Sequence, residues 1–392
     1  MQELTSNRNK LLAIGTRPEN ELLLCCARTF IDAKISDRIQ SLLKENIDWT
    51  YLIKTAENHG IVPLLYFNLN STCPKSVPQI ILDNLRTSFQ ENAAWSMSLT
   101  GELIIVLKMF ADNEIPVIPF KGATLAACAY HNLVLRQFSD LDILVHEQDF
   151  LKAKELLIYQ GYQLCSDWGW QLHFISANGR VNLDLHQSIT PKDFPSSLTF
   201  EYLWKRLQPV CFSGITVSTL APEDLLLFLC INVARDCWEK GERLIQICDI
   251  AELIRVNPEI DWQYLIENSK NLGCQRILFL GLLLADDLLE VNIPKEILQT
   301  IYLDKVVKLL STQMCCWLFC ELNHQSTDIE RKLFYFRVRE RLQDKLPYFV
   351  HLISLWITPS HADQEFLPLP PSLSFLYYLV RLVRVIKRVQ VK

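Results

Sequence analysis

Along most of the chain apolar residues recur every three or four positions, the spacing that buries one face of an α-helix. The pattern predicts helices over 19–30 and 37–43, and one that starts at Trp49 behind the capping residue Asp48 and runs to about Asn58. His59-Gly60 ends that helix, since glycine suits the left-handed position that follows a helix. A further apolar stretch follows Pro63, and 102–110 continues the helical spacing. The same period returns from Pro222 onward, over 223–234, 244–256, 262–272 and 275–289, while 358–372 is proline-rich and reads as a connection.

Between these halves the period changes. Residues 115–120 form a short extended run that Pro116 and Pro119 confine to an edge or irregular strand. Lys121-Gly122 is a turn, 123–130 a small alanine-rich helix, 141–145 a strand, and 149–160 a helix closed by Gly161. Asn178-Gly179 lies between runs at 172–177 and 180–189, a strong short-range signal for a β-hairpin. The layout is an α+β fold: a small mixed β-sheet core at 111–215 between an N-terminal helical region, 1–110, and a C-terminal one, 216–392.

Composition narrows the class. The 392 residues are 49% hydrophobic and 21% charged, which supports a folded core and argues against disorder. A net charge of −5 provides no global basic field for nucleic acid. The 13 cysteines are scattered, and the adjacent pairs Cys25-Cys26 and Cys315-Cys316 do not have metal-ligand or redox spacing, so reduced core thiols are expected. The first residues lack a basic-then-apolar signal pattern, and uninterrupted apolar runs such as 277–285 fall short of the ~20 residues of a membrane span. The expected location is cytoplasmic.

The candidate chemistry lies in Ser139-Asp140-Leu141-Asp142-Ile143-Leu144-Val145. In a strand, Asp140 and Asp142 share one face while Leu141, Ile143 and Val145 turn to a core. Two carboxylates so close repel each other, and a divalent cation with oxygen preference removes the repulsion. A plain solvent-facing strand would show the same pattern. The second hairpin strand adds Asn182, Asp184 and His186 on one face. If it pairs beside 141–145, three carboxylates gather that can hold two cations for phosphoryl or nucleotidyl transfer. Lys121, Gly122 and Arg136 are candidates for holding phosphate: a glycine turn at a helix start, and two cations. Their alternative is solvated surface charge, and for His186 it is a hydrogen-bonded structural histidine.

These residues resemble the uncharacterised nucleotidyltransferase family of bacteria, within the DNA polymerase β-like superfamily. The resemblance rests on Lys121-Gly122, Arg136, the Asp140–Val145 strand and Asp184-Leu185-His186. It extends to His59-Gly-Ile-Val-Pro-Leu-Leu65, Trp238, Arg243-Leu244 and Asp249-Ile250-Ala251. It implies transfer of a nucleoside monophosphate from an NTP to an acceptor, with release of pyrophosphate. Asp140, Asp142 and Asp184 would be catalytic and hold metal, two Mg²⁺ with Mn²⁺ as the alternative. Lys121, Gly122 and Arg136 would bind the NTP. The turn here is Gly122-Ala123 instead of the superfamily's usual Gly-Ser or Gly-Gly, so without a serine hydroxyl one phosphate contact is missing or is supplied by Thr124 or Lys121. The acceptor is open. A glycosyltransferase and a non-catalytic NTP-binding pseudoenzyme or interaction module are the competing classes.

Other positions carry weaker signals. Residues 366–392 contain no acid, and Arg381, Arg384, Lys387, Arg388 and Lys392 fall at roughly helical spacing. A basic amphipathic helix of this kind suits an anionic membrane surface or an acidic partner, or is a terminal helix with solvated charges. Asp236 and Asp249 are expected as structural caps or ion-pair partners.

Overall fold

The computed structural model describes residues 17–191, 194, 198–237, 241–319, 327–359, 361–381 and 384. The chain divides into two compact units, Met1–Val338 and Arg339–Lys392.

Among the described residues the first unit begins with five α-helices: α1 (Pro18–Cys26), α2 (Ala33–Leu42), α3 (Trp49–His59), α4 (Val62–Thr72) and α5 (Gln79–Asp112). Asp48 caps α3 as its pattern predicts, accepting from the Tyr51 amide at 3.0 Å, and Gly60 closes it in the left-handed region with φ 69°. The spacing over 102–110 proves to be the end of α5, which is long and apolar enough by length and composition to cross a membrane. Its Leu99, Leu103, Val106 and Phe110 are buried in the core shared with the sheet.

The sheet and its helices follow: β1 (Val117–Pro119), α6 (Gly122–Tyr130), β2 (Asp140–Val145), α7 (Phe150–Tyr159), β3 (Gln163–Asp167), β4 (Gln171–Ile175) and β5 (Asn182–His186). The strand order is β1-β2-β5-β4-β3. β2 and β5 run parallel and the other pairs antiparallel, so the α+β class with a mixed sheet holds. The proline-bearing run forms edge strand β1, and Asn178-Gly179 joins β4 to β5. Leu141, Ile143, Val145, Leu172, Phe174, Leu183 and Leu185 enter one core. Each fully buried side chain of this size contributes about 1.5–3 kcal/mol of transfer free energy.

Edge strand β3 is not legible in the sequence: Gln163-Leu-Cys-Ser-Asp167 is largely exposed and has no buried face to impose alternation. After the short α8 (Phe200–Trp204), a second unexpected hairpin joins β6 (Gln208–Phe212) to β7 (Ile215–Thr219). Its two-residue turn, Ser213-Gly214, has both φ values positive, 50° and 78°, the geometry that matches strand twist. That Ser-Gly pair is the signal that would have revealed it.

The first unit ends in α9 (Pro222–Asp236), α10 (Leu244–Val256), α11 (Trp262–Leu272), α12 (Gln275–Leu289), α13 (Lys295–Leu303), α14 (Lys305–Phe319) and α15 (Asp328–Val338). The described cysteines are free thiols, and Cys25, Cys26 and Cys315 are buried.

The second unit contains α16 (Leu342–Ile357) and α17 (His361–Phe366), so the proline-rich connection includes a short helix. Arg381 and Arg384 both pair with the buried Asp363, at 3.6 and 2.8 Å, which gives these two cations of the basic segment a structural partner. The remaining basic residues of that segment, Lys387, Arg388 and Lys392, lie outside the described residues, as does Trp238.

Candidate active site

The parallel register of β2 and β5 sets Asp142 directly opposite Asp184, and Asp140 opposite Asn182. The antiparallel register of β4 and β5 then sets His173 opposite Asp184. One row across three strands therefore carries His173, Asp184 and Asp142.

Two histidines fix the two carboxylates. The nitrogen Nδ1 of His173 lies 2.7 Å from Asp184 Oδ1. His186 Nε2 lies 3.0 Å from Asp142 Oδ1, and Lys121 Nζ donates to that same oxygen at 3.4 Å. The other oxygen, Asp142 Oδ2, is buried and has no hydrogen-bond partner. An unpaired buried carboxylate oxygen is costly unless something positive meets it. Ligating atoms of Asp142, Asp184 and His186 all lie within 4.8 Å of one another. His186 thus joins Asp142 and Asp184 in this group, and Asp140 lines the same cleft beside them. Sequence reasoning left His186 as a structural histidine. Its bond to Asp142 agrees with that role, and its membership in the cluster extends it.

Asp140 stands half-buried beside the group. Burial and the negative charge of Asp142 push its carboxyl up to about 6. For Asp142 burial alone would act the same way, but Lys121 and the His186 hydrogen bond outweigh it and hold the carboxyl well below the usual range. The strand therefore holds neighbouring carboxyls with opposite tendencies, a common arrangement where charge is managed for chemistry.

Gly122 begins α6 with φ 52°, and a Cβ there would lie 3.1 Å from the Asp140 carbonyl oxygen. Only glycine lets the turn approach β2 this closely without strain. Thr124 is fully buried and its hydroxyl has no partner, and it is not among the residues lining the cleft, so it does not replace the missing serine.

Arg136, expected at phosphate, lines the cleft and is paired there with a carboxylate. Its Nε and Nη2 donate to the two oxygens of buried Asp249 at 2.8 and 2.9 Å, and the Tyr130 hydroxyl donates to Asp249 at 2.7 Å. Burial lowers the guanidinium's proton affinity, but Asp249 more than compensates and raises it. This forked ion pair ties the end of α6 and the approach to β2 onto α10. Asp249 is the structural partner the sequence reading expected.

The carboxylates face a cleft of about 360 Å³. Lys121, Gly122, Asp140, Asp142 and Asp184 line one side, and Asn232, Arg235, Asp236, Arg243 and Gln246 from α9 and the start of α10 line the other. Asp236 accepts from Arg235, Asn232 and Gln246 at 3.0, 3.2 and 2.6 Å, again a structural partner.

The family model of the uncharacterised nucleotidyltransferases matches residues 45–290, from just before α3 to the end of α12. The chain belongs to this family. The matched region contains every residue of the site and both walls of the cleft. A search of curated proteins finds no match. Membership implies an NTP donor, and the buried Asp-Asp-His group fits the metal site a nucleotidyltransferase needs. The residues suit a hard cation on their own chemistry too: Asp142 Oδ2 is buried without a hydrogen-bond partner, and Asp140, Asp142 and Asp184 bring carboxylate oxygens to one cleft.

Proposed function

We propose that this chain is a metal-dependent nucleotidyltransferase that moves a nucleoside monophosphate from an NTP to an acceptor hydroxyl or phosphate and releases pyrophosphate. The observation that carries the reading is the Asp142 carboxylate, clamped through Oδ1 by His186 and Lys121 while buried Oδ2 is left open. A solvated strand face has no reason to bury an unpaired carboxylate oxygen.

Asp140, Asp142 and Asp184 are the proposed metal ligands, with Mg²⁺ as the ion and Mn²⁺ as the alternative. Bound there, a divalent ion neutralises charge on the triphosphate and makes an acceptor hydroxyl more acidic. The acceptor oxygen forms a bond to the α-phosphorus. The bond from that phosphorus to the bridging oxygen breaks, and pyrophosphate leaves with the electron pair. Asp184, oriented by His173, takes the acceptor's proton. Lys121 and the turn at Gly122 hold the phosphates against the start of α6. Arg136 acts through Asp249 as a positioning residue. The order of turn, Asp-x-Asp strand and third carboxylate on the adjacent strand supports placement within the DNA polymerase β-like superfamily.

The test is incubation of pure protein with each labelled NTP, Mg²⁺ and cell extract. A transferred label, absent with Asp142→Asn, supports the reading and identifies donor and acceptor class. NTP binding that a chelator does not weaken would overturn the metal role. The second reading is an NTP-binding protein without transfer. It is favoured by the hydroxyl-free turn at Gly122-Ala123 and by the burial of Thr124. Metal-dependent NTP binding with no transfer to any fraction would select it.

A further inference from the structure

We propose that Arg243, on the helical wall of the cleft, grips the terminal phosphates of the NTP and the pyrophosphate that leaves. The inference rests on the nucleotidyltransferase reading and adds a binding residue to it. Four cations line the cleft. Lys121 is paired with Asp142, Arg136 with Asp249 and Arg235 with Asp236. Arg243 has no carboxylate partner among the described residues, and its side chain is exposed to the cleft. It is the cation there that can meet an incoming polyanion without first breaking an ion pair.

Its backbone is held while its side chain is free. The Arg243 amide donates to Gln246 Oε1 at 3.0 Å, and the next amide, Leu244, donates to His59 Nδ1 at 3.2 Å. Gln246 in turn donates to Asp236 on α9. Arg243 also stands at the N-cap of the 13-residue α10, whose dipole favours negative charge at that end. Opposite it, Lys121 is drawn toward Asp142, and the Gly122 turn has no hydroxyl to offer. A forked guanidinium that can bond two phosphate oxygens supplies what that wall lacks.

Calorimetric titration of wild type, Arg243→Ala and Arg243→Lys tests this, using each Mg·NTP, the matching nucleoside monophosphate and inorganic pyrophosphate with Mg²⁺ as probes. Arg243→Ala is expected to weaken NTP and pyrophosphate binding about tenfold or more, as loss of a charge-assisted contact does. Monophosphate binding stays unchanged. Arg243→Lys, which keeps the charge but not the fork, falls between and serves if the alanine variant does not fold. Equal weakening of triphosphate and monophosphate would mean a structural role and overturn the proposal. Unchanged triphosphate binding in both variants would overturn it while leaving the nucleotidyltransferase reading intact. A wild type that binds no NTP at millimolar concentration would reject that reading, and this inference with it.

Discussion

At the scale of single residues, Asp142 and Asp249 show two ways a buried carboxylate is tolerated. Asp249 has both oxygens occupied by Arg136, and one also by Tyr130. Asp142 has one oxygen doubly bonded and the other open. Replacement should separate them. Asp249→Ala leaves a buried guanidinium without its counter-charge and is expected to cost about 3–5 kcal/mol in urea unfolding, the range for a broken buried pair. A near-zero change would show that Arg136 finds another partner. Asp142→Asn keeps the side-chain shape and an acceptor for His186, and it relieves repulsion with Asp140. Both the His186 and the Lys121 contact lose their charged acceptor but keep a neutral one, so apo stability should move by no more than about 3 kcal/mol, the upper range for a hydrogen bond to a charged group. Mg²⁺-dependent NTP binding should be lost. Denaturation without metal and calorimetry with it give both numbers, and severe destabilisation would assign Asp142 to the scaffold.

At the scale of elements, the end of α3 illustrates how a segment far from the cleft shapes it. His59 is buried and bridges two other helices: its Nδ1 accepts from Leu244 at the start of α10, and its Nε2 lies 3.1 Å from the Leu318 carbonyl on α14. Those contacts need the neutral ring with the proton on Nε2. Burial accordingly pushes the imidazole down to about 4. An unfolded histidine titrates near 6.5, so protonation favours the unfolded chain as pH falls. The associated stability is complete above about pH 6.5 and diminishes down to pH 4, by about 3 kcal/mol in all. Urea unfolding of wild type and His59→Gln at pH 7, 5.5 and 4.5 should show this component in the wild type alone. Parallel pH profiles for the two proteins would contradict the assignment. The Gly60 that follows is constrained as well: a Cβ there would lie 3.4 Å from Ile245 Cγ2, next to the same helix start.

At the scale of the whole molecule, the cleft has a sheet wall bearing carboxylates and a helical wall bearing Arg235, Arg243 and Gln246. An NTP that contacts both walls binds only the folded state and so stabilises it. At 100 times its dissociation constant the gain is about 2.7 kcal/mol. Thermal melts should therefore shift upward with Mg²⁺ and NTP together and little with either alone. Hydrogen exchange should slow in β2, β5 and the first turns of α10 at once. Protection limited to the sheet would mean that the ligand does not reach the helical wall.

Much of this was readable along the chain. Helical spacing located α3 and α10 to α12 closely, because amphipathic periodicity is a local property of sequence. Alternation in 140–145 and 182–186 placed Asp140, Asp142, Asp184 and His186 on definite strand faces, since a strand has a period of two. The exposed β3 escaped, having no buried face to leave a pattern. Strand register was also beyond local reach: the pairing of Asp142 with Asp184 depends on how β2 and β5 align, and this brought His186 into the group with them. The fate of each cation was likewise tertiary. Arg136 and Arg243 both line the cleft, yet Arg136 is paired with a carboxylate 113 residues away, whereas Arg243 has no carboxylate partner among the described residues. Residue type and local period determined which groups could do chemistry, whereas long-range packing decided which charges were neutralised and which were left free.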